Sequence, residues 1–292
     1  MNRKFAVPVL FISSIGWGLS WLPIKSLTQS GLDGIHLVLI AFTSAGLLLL
    51  PALWIQRSHW QSRLHLLLAI AVFGGFANLA FQIAMVHGNV VRVMILFYLL
   101  PVWSVLGGWY FLQERPDRLR IFAMILSLMG AAMILNVDST TFAGLNTIDL
   151  LAIGSGFALA MNNILFRKTA EQPLAGKVSA MFIGCALLIG SYVLVTPTTA
   201  SLPDNMTPYY AILYGVMFLS LITFGTQWGV TQLEAGRASL IIVMELVAAV
   251  VSVAIFTELS LTFREVVGAV MVLTAAILEG WRDPEPVKKS IA

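Results

Sequence analysis

Charge is what this 292-residue sequence has least of: Asp, Glu, Lys and Arg together make up 11% of it, against roughly a quarter in a soluble domain. A chain so poor in ionised groups cannot clothe a water-facing surface, which excludes an ordinary soluble fold. The single cysteine, Cys185, excludes a disulfide framework and any multi-cysteine metal site. The four histidines, His36, His59, His65 and His87, fall near the ends of apolar runs, and no metal-ligand spacing joins them. No Gly-x4-Gly-Lys-Ser/Thr loop occurs, so energy input from a nucleotide is not expected. The net charge of +3 is not organised as a basic stripe with interleaved aromatics, which argues against nucleic acid. Long polar connections are also missing. The longest, about Thr196–Pro208, leaves no room for a separate binding domain.

What is abundant is apolar sequence, with 59% hydrophobic residues and a mean hydropathy of +0.89. A bilayer core is about 30 Å thick, so a spanning helix needs ~20 residues at 1.5 Å each. The spacing predicts ten such helices, over Phe5–Ile24, Ile35–Ile55, Leu64–Val86, Val93–Leu112, Leu119–Val137, Ile148–Phe166, Val178–Val195, Tyr209–Val230, Ala238–Thr257 and Phe263–Trp281. The first run follows Met-Asn-Arg-Lys, but it is too long for a signal-peptide core and no small-x-small site closes it, so it reads as a span. With the N-terminus placed in the cytoplasm, only Lys25, Arg92 and Arg264 of the basic residues fall outside. That is the positive-inside bias, and it predicts cytoplasmic termini in the cytoplasmic (inner) membrane.

The chain also repeats, with a period near 144–145 residues. Gln82 and Arg92, ten apart, fall on Gln227 and Arg237. Leu100-Pro101-Val102 falls on Glu245-Leu246-Val247, Glu114 on Glu258, Arg120 on Arg264, and Ala131-Ala132-Met133-Ile134 on Ala275-Ala276-Ile277-Leu278. Five spans per half is an odd number, so the halves must enter the membrane from opposite sides. The expected fold class is therefore all-α integral membrane: ten transmembrane helices as two inverted five-helix repeats, residues 1–140 and 141–292. Many secondary transporters use this architecture for alternating access.

Trp17-Gly18-Leu19-Ser20-Trp21-Leu22-Pro23-Ile24-Lys25 resembles the opening motif of the drug/metabolite transporter superfamily. Leu100-Pro101-Val102 with Glu114 and Glu245-Leu246-Val247 with Glu258 resemble the later motifs of its two halves, and the EamA-type branch is the closest match. Two features depart from that pattern: Leu246 stands where the second half often has proline, and the stretch to Glu258 is one residue short. The resemblance implies ten helices, two inverted repeats and export of small metabolites.

Depth then selects the polar residues that matter. Glu245 lies seven residues into its span, about 10 Å from the cytoplasmic edge, among Ile241, Ile242, Val243 and Val247. A carboxylate there costs roughly 2.5–3.5 kcal/mol on insertion scales, so it must face the bundle interior. It is the candidate for a substrate amine or a coupling proton; the alternative is a structural carboxyl satisfied by neighbouring helices. Trp17, Trp21, Asn78, Gln82, Tyr98, Trp103, Asn162, Asn163 and Gln227 complete the candidate substrate-binding set. Each amide has the alternative role of interhelical glue. Lys25 is expected 15–20 Å away from Glu245 in depth by the same rise, too far to be its partner. Trp54, Trp60, Trp109 and Trp281 read as interface anchors, Gly154/Ala158 and Gly156/Ala160 as close-packing pairs, and Arg92 and Arg237 as capping residues.

The expected activity is that of a secondary transporter exporting a small organic metabolite, an amino acid being the candidate, by alternating access. An uncoupled channel-like facilitator is the second reading. An intramembrane lipid-modifying enzyme is the third; it would need facing nucleophile, base or metal ligands that no pair of spans supplies. No catalysis, cofactor or metal is expected. The partners are the lipid bilayer, the small-molecule substrate and, through Glu245, protons, with no nucleic acid. Nothing in the sequence sets an oligomeric state.

Overall fold

The computed structural model describes residues 3–138, 146–196, 205–257 and 260–282, together with 141, 144 and 203. Among these residues there are helices and connections but no strand. The helices are α1 (Ala6–Leu19), α2 (Trp21–Gln29), α3 (Gly34–Ile55), α4 (Leu64–His87), α5 (Val90–Phe97), α6 (Leu100–Leu112) and α7 (Arg118–Ile134) in the first half. The second half holds α8 (Thr147–Lys168), α9 (Leu174–Val195), α10 (Thr207–Leu213), α11 (Ser220–Gln232), α12 (Ala235–Ile242), α13 (Met244–Thr257) and α14 (Phe263–Gly280). A π-helical turn, Tyr214–Leu219, joins α10 to α11. Glu258 and the basic tail residues Lys288 and Lys289 lie outside the described residues.

Eight segments are long and apolar enough to cross a membrane: α1–α2, α3, α4, α5–α6, α8, α9, α10–α11 and α12–α13. The chain is a multi-pass membrane protein. The helices α7 and α14 fall short by these measures. α7 has 17 residues, and α14 carries Arg264 and Glu265 in its first turn and Glu279 in its last.

Short polar caps set where helices begin, because the first backbone N–H groups of a helix lack internal acceptors. Asp33 accepts from the Ile35 N–H, Asn89 from Arg92 and Asp117 from Arg120. Asn146/Asp149 and Thr262/Glu265 form reciprocal capping boxes. Three spans start earlier than hydropathy predicts, at Val90, Leu174 and Ala235, because the basic residue in each first turn is satisfied inside the protein. Arg92 pairs with Asp149. Lys177, fully buried, donates to the Phe166 and Thr169 carbonyls at 3.1 and 2.9 Å. Arg237 donates to the Gly280 and Arg282 carbonyls at 3.0 and 2.7 Å, so it caps the end of α14. Trp54, Trp109 and Trp281 are exposed, but Trp60 is not an interface anchor. It is 2% exposed and lies against Gly176, where a Cβ would come within 2.8 Å of its Nε1.

Three spans are interrupted. The first turns at Ser20, between α1 and α2; the fourth breaks at Tyr98–Leu99; the α12–α13 segment breaks at Val243. Pro101, near the start of α6, accounts for the fourth, since its ring cannot continue a preceding helix. The α12–α13 segment breaks although no proline follows, Leu246 standing three residues on. Around these breaks α1 packs on α11 and α13, α6 on α8 and α12, α3 on α9, α4 on α8 and α9, and α7 on α14. The core runs through Leu10, Ile70, Leu100, Phe166, Phe182 and Ile241.

Candidate functional site

Two interrupted spans meet at the side of α1. Gly18 lies directly on α13: a Cβ there would fall 2.3 Å from the Glu245 carbonyl oxygen and 2.6 Å from the Ala248 Cβ. Only glycine lets the two backbones approach this closely. Gly156 of α8 does the same for the other broken span, with the Phe97 carbonyl oxygen 2.5 Å from where its Cβ would be.

Beside these crossings a cavity of ≈ 670 Å³ enters the bundle. Its mouth is formed by Lys25, Thr28 and Gly34, and its walls descend past Gln82, Trp21, Phe81 and Tyr98 to Asn163, Gln227 and Glu245. Trp17, Phe42, Phe97 and Tyr214 complete an aromatic enclosure. A mostly apolar pocket with a few convergent polar groups is the usual form of a small-molecule site. Beyond Gln227 and Asn163, Phe166 and Val230 are fully buried and fill the bundle.

Trp17, Trp21, Asn78, Gln82, Tyr98, Asn163, Gln227 and Glu245 all line this one cavity. Trp17 Nε1 donates to Thr226 Oγ1 at 3.1 Å and Trp21 Nε1 to Ser252 Oγ at 2.9 Å, so both indoles are held across to the second half. Gln227 Nε2 donates to Asn163 Oδ1 at 3.3 Å, while the Gln227 Oε1 is buried with no partner among the described residues. Asn78 Nδ2 donates to the Gly74 carbonyl at 2.9 Å and to Cys185 Sγ at 3.4 Å, a tie between helices. Tyr98, at the break of the fourth span, lines the same cavity as Glu245.

Trp103 and Asn162 lie off the cavity. Trp103 packs edge-on against Phe157, with ring centroids 5.7 Å apart. Asn162 is fully buried and donates to Met181 Sδ at 3.6 Å. Adjacent helical residues point about 100° apart, so of Asn162 and Asn163 only one can face a given space. Lys25 is nearer to Glu245 than its sequence position implies. Gly18 sits at the depth of Glu245, and Lys25 is seven residues further along, about 10 Å. Gly18, Trp21, Lys25 and Thr28 are spaced 3, 4 and 3, one helical face. That spacing was the signal for Lys25 and Thr28 as wall residues. Thr223, Met94 and Tyr214 carried no such signal.

The opposite end of the bundle is closed by ionised groups. Arg167 pairs with Glu114 at 3.2 Å and donates to the Thr231 carbonyl at 2.9 Å. Glu114 also accepts from the Ala235 N–H at 2.8 Å. Arg120 pairs with Glu234 and, at 3.5 Å, with the fully buried Glu279. Arg282 pairs with Asp117 and, at 3.0 Å, with Glu279. Burial pushes the Glu114 carboxyl up, against the opposing pull of the Ala235 N–H and Arg167. The hydrogen bond from Arg282 holds Asp117 below the ordinary carboxylate range.

Compared with known proteins, residues 4–136 match the EamA-like transporter family. The members of that family are the EamA-like transporters. They are part of the drug/metabolite transporter superfamily, membrane transporters of small molecules. The chain superposes on a solved crystal structure, described only as that of a protein, with a TM-score of 0.76 at 14% identity. The superposition covers 95% of this chain and 98% of the other, so the fold is shared over its full length. No curated protein matches the chain in sequence.

Proposed function

We propose that the protein is a ten-span secondary transporter that exports a small amphipathic organic metabolite, an amino acid being the candidate, across the inner membrane by alternating access. The observation that carries this reading is the cavity: it is open at one end of the bundle, walled by both halves, and sealed at the other end by ion pairs that join the halves. By the positive-inside distribution of basic residues the sealed end is cytoplasmic and the open end outside. The helix contacts support an inverted repeat. Exchanging the first five spans for the last five turns the pairing of the first span with the ninth into that of the sixth with the fourth, and the pairing of the first with the eighth into that of the sixth with the third. Both kinds are present. The second span pairs with the seventh and the fifth with the tenth, which the exchange leaves unchanged. The matched breaks at Tyr98–Leu99 and Val243 fit the same relation, and discontinuous helices flank the midplane sites of such transporters. On this reading α7 and α14 are the fifth and tenth spans. Seventeen residues rise about 26 Å, nearly the hydrocarbon thickness, with the charges of α14 confined to its ends.

Glu245 is the coupling or amine-binding group of this mechanism. Proton release on opening to one side and uptake on the other would drive net export. The test is counterflow in proteoliposomes with a panel of labelled amino acids and aromatic amines, with and without a pH gradient. Trans-stimulated uptake of one class, accelerated by the gradient, is the expected result. Flux that does not respond to substrate on the far side would overturn alternating access.

A further inference from the structure

Lys25 and Glu245 are the two charged residues lining the cavity, and the arrangement around Lys25 is not that of an interface lysine. Such lysines extend their ammonium outward to the headgroups. Here Lys25 Nζ lies over the Trp21 ring, 5.7 Å from its centroid. Trp21 is one turn nearer the cavity floor, and side chains on a helix lean toward its N-terminus. The ring is itself fixed by its hydrogen bond to Ser252 of α13. The ammonium therefore hangs inside the mouth, against an aromatic face.

Its distance from Glu245 follows from the packing. Gly18 marks the depth of Glu245, and Trp21 is three residues beyond, roughly 5 Å along the helix. Ser252, which fixes the indole, is seven residues beyond Glu245 on α13, roughly 10 Å. So the ammonium stands about 5–10 Å further out than the carboxyl. Among the described residues no ion pair joins them. Two opposite charges are thus held apart by cavity space rather than neutralised by each other.

We propose that Lys25 is the anion-recognising, specificity-determining residue of the cavity, and that with Glu245 it selects a short zwitterion over a cation or an anion alone. The ligand's ammonium faces Glu245 and its anionic group faces Lys25. A short zwitterion with one charge-assisted hydrogen bond of about 2.8 Å at either end spans a gap of this order. Its apolar part lies against Phe81, Phe97 and Tyr214. A cationic amine would leave Lys25 repelling it at the mouth, and a carboxylate without an amine would meet Glu245 with like charge. This inference rests on the cavity being the transport site proposed above.

The test uses three probes of one size: L-phenylalanine, phenethylamine and 3-phenylpropionate. Binding to purified protein in nanodiscs is measured by calorimetry, and flux in proteoliposomes, for wild type, Lys25→Gln, Lys25→Arg and Glu245→Gln. Wild type should prefer phenylalanine. Lys25→Gln should lose about tenfold or more in phenylalanine affinity while phenethylamine binding rises, since one charged hydrogen bond is removed. Lys25→Arg should retain the wild-type order, and Glu245→Gln should move the preference toward 3-phenylpropionate. Lys25 is exposed at the mouth, so its variants should melt as wild type does. An unchanged order of the three probes in Lys25→Gln would overturn the proposal, as would wild type that prefers the amine or the anion, or binds none. Correct binding preferences without flux would overturn the transport reading and leave the two-point site standing. Flux of phenylalanine indifferent to Lys25→Gln would do the reverse.

Discussion

The two ends of this bundle are built from different chemistry. At the sealed end Glu114, Asp117 and Arg120, all before residue 137, are tied to Arg167, Glu234, Glu279 and Arg282, all after residue 146. At the open end the halves meet through Arg92 and Asp149, which stand off the cavity lining. On the repeat proposed from the sequence, Arg264 matches Arg120, and the positions matching Glu234 and Glu279 are Asn89 and Leu135. The two ends therefore differ in their charges. On the alternating-access reading proposed above, an ionic latch at one end favours the state closed there. Partly buried ion pairs suit a latch, because holding them costs desolvation while breaking one partner leaves an unpaired charge.

The sharpest way to break this difference is to remove the latch. Arg120→Ala leaves Glu234 without its partner and Glu279 dependent on Arg282 alone. It should cost about 3–5 kcal/mol, read as a fall in detergent melting temperature. It should also expose a Gln227→Cys thiol, in a Cys185→Ala background, to impermeant reagents from the sealed end. An unchanged melting curve and labelling pattern would mean that the ion pairs do not hold the end closed. Next comes the crossing on which the cavity is hung. Gly18→Ala puts a methyl into the Glu245 backbone, and overpacking of this kind costs about 1–3 kcal/mol; flux should fall more than melting temperature, since the cavity wall is displaced.

Glu245→Gln tests the open side. The fold should persist, because shape and most hydrogen-bonding capacity remain, while flux falls roughly tenfold, equivalent to about 1.4 kcal/mol, and its pH dependence flattens. Glu245→Leu separates the alternatives: as a pathway group it leaves a stable, inactive protein, whereas as a structural carboxyl it lowers stability while flux per folded molecule survives. The smallest effect belongs to Asp117. Asp117→Asn keeps the N-cap of α7 and loses only its charge toward Arg282. The pair is half exposed, so its loss should cost under about 1 kcal/mol. Because Asp117 titrates below its ordinary value, the wild-type advantage is present above about pH 4. It should vanish as pH falls through the lowered value. Melting curves of the two proteins at neutral and acidic pH check the sign.

Much of this was legible in the residues. Apolar runs locate the long helices to within a few residues, because span length depends on local composition, while the caps Asp33, Asn89 and Asp117 that set the starts emerged from the structure. Eight of the ten candidate site residues line one space, because polar groups in a bilayer have few places to point. Lys25 was legible only in part. Its spacing from Gly18 was in the sequence, but its side chain's turn back over Trp21 was not. The same holds for Lys177, whose partners Phe166 and Thr169 are carbonyls of another helix, and for Trp60, hidden by Gly176.

The sequence by itself determined a membrane-spanning, all-helical chain, since hydropathy and rise per residue act along the chain. Only the tertiary structure decided which end is sealed, that Asn163 rather than Asn162 faces the cavity, and that Lys25 and Glu245 share it. Those facts depend on side-chain direction and on contacts between residues more than a hundred positions apart, such as Gly18 on Glu245 and Glu114 on Ala235. No local rule along the chain specifies such contacts.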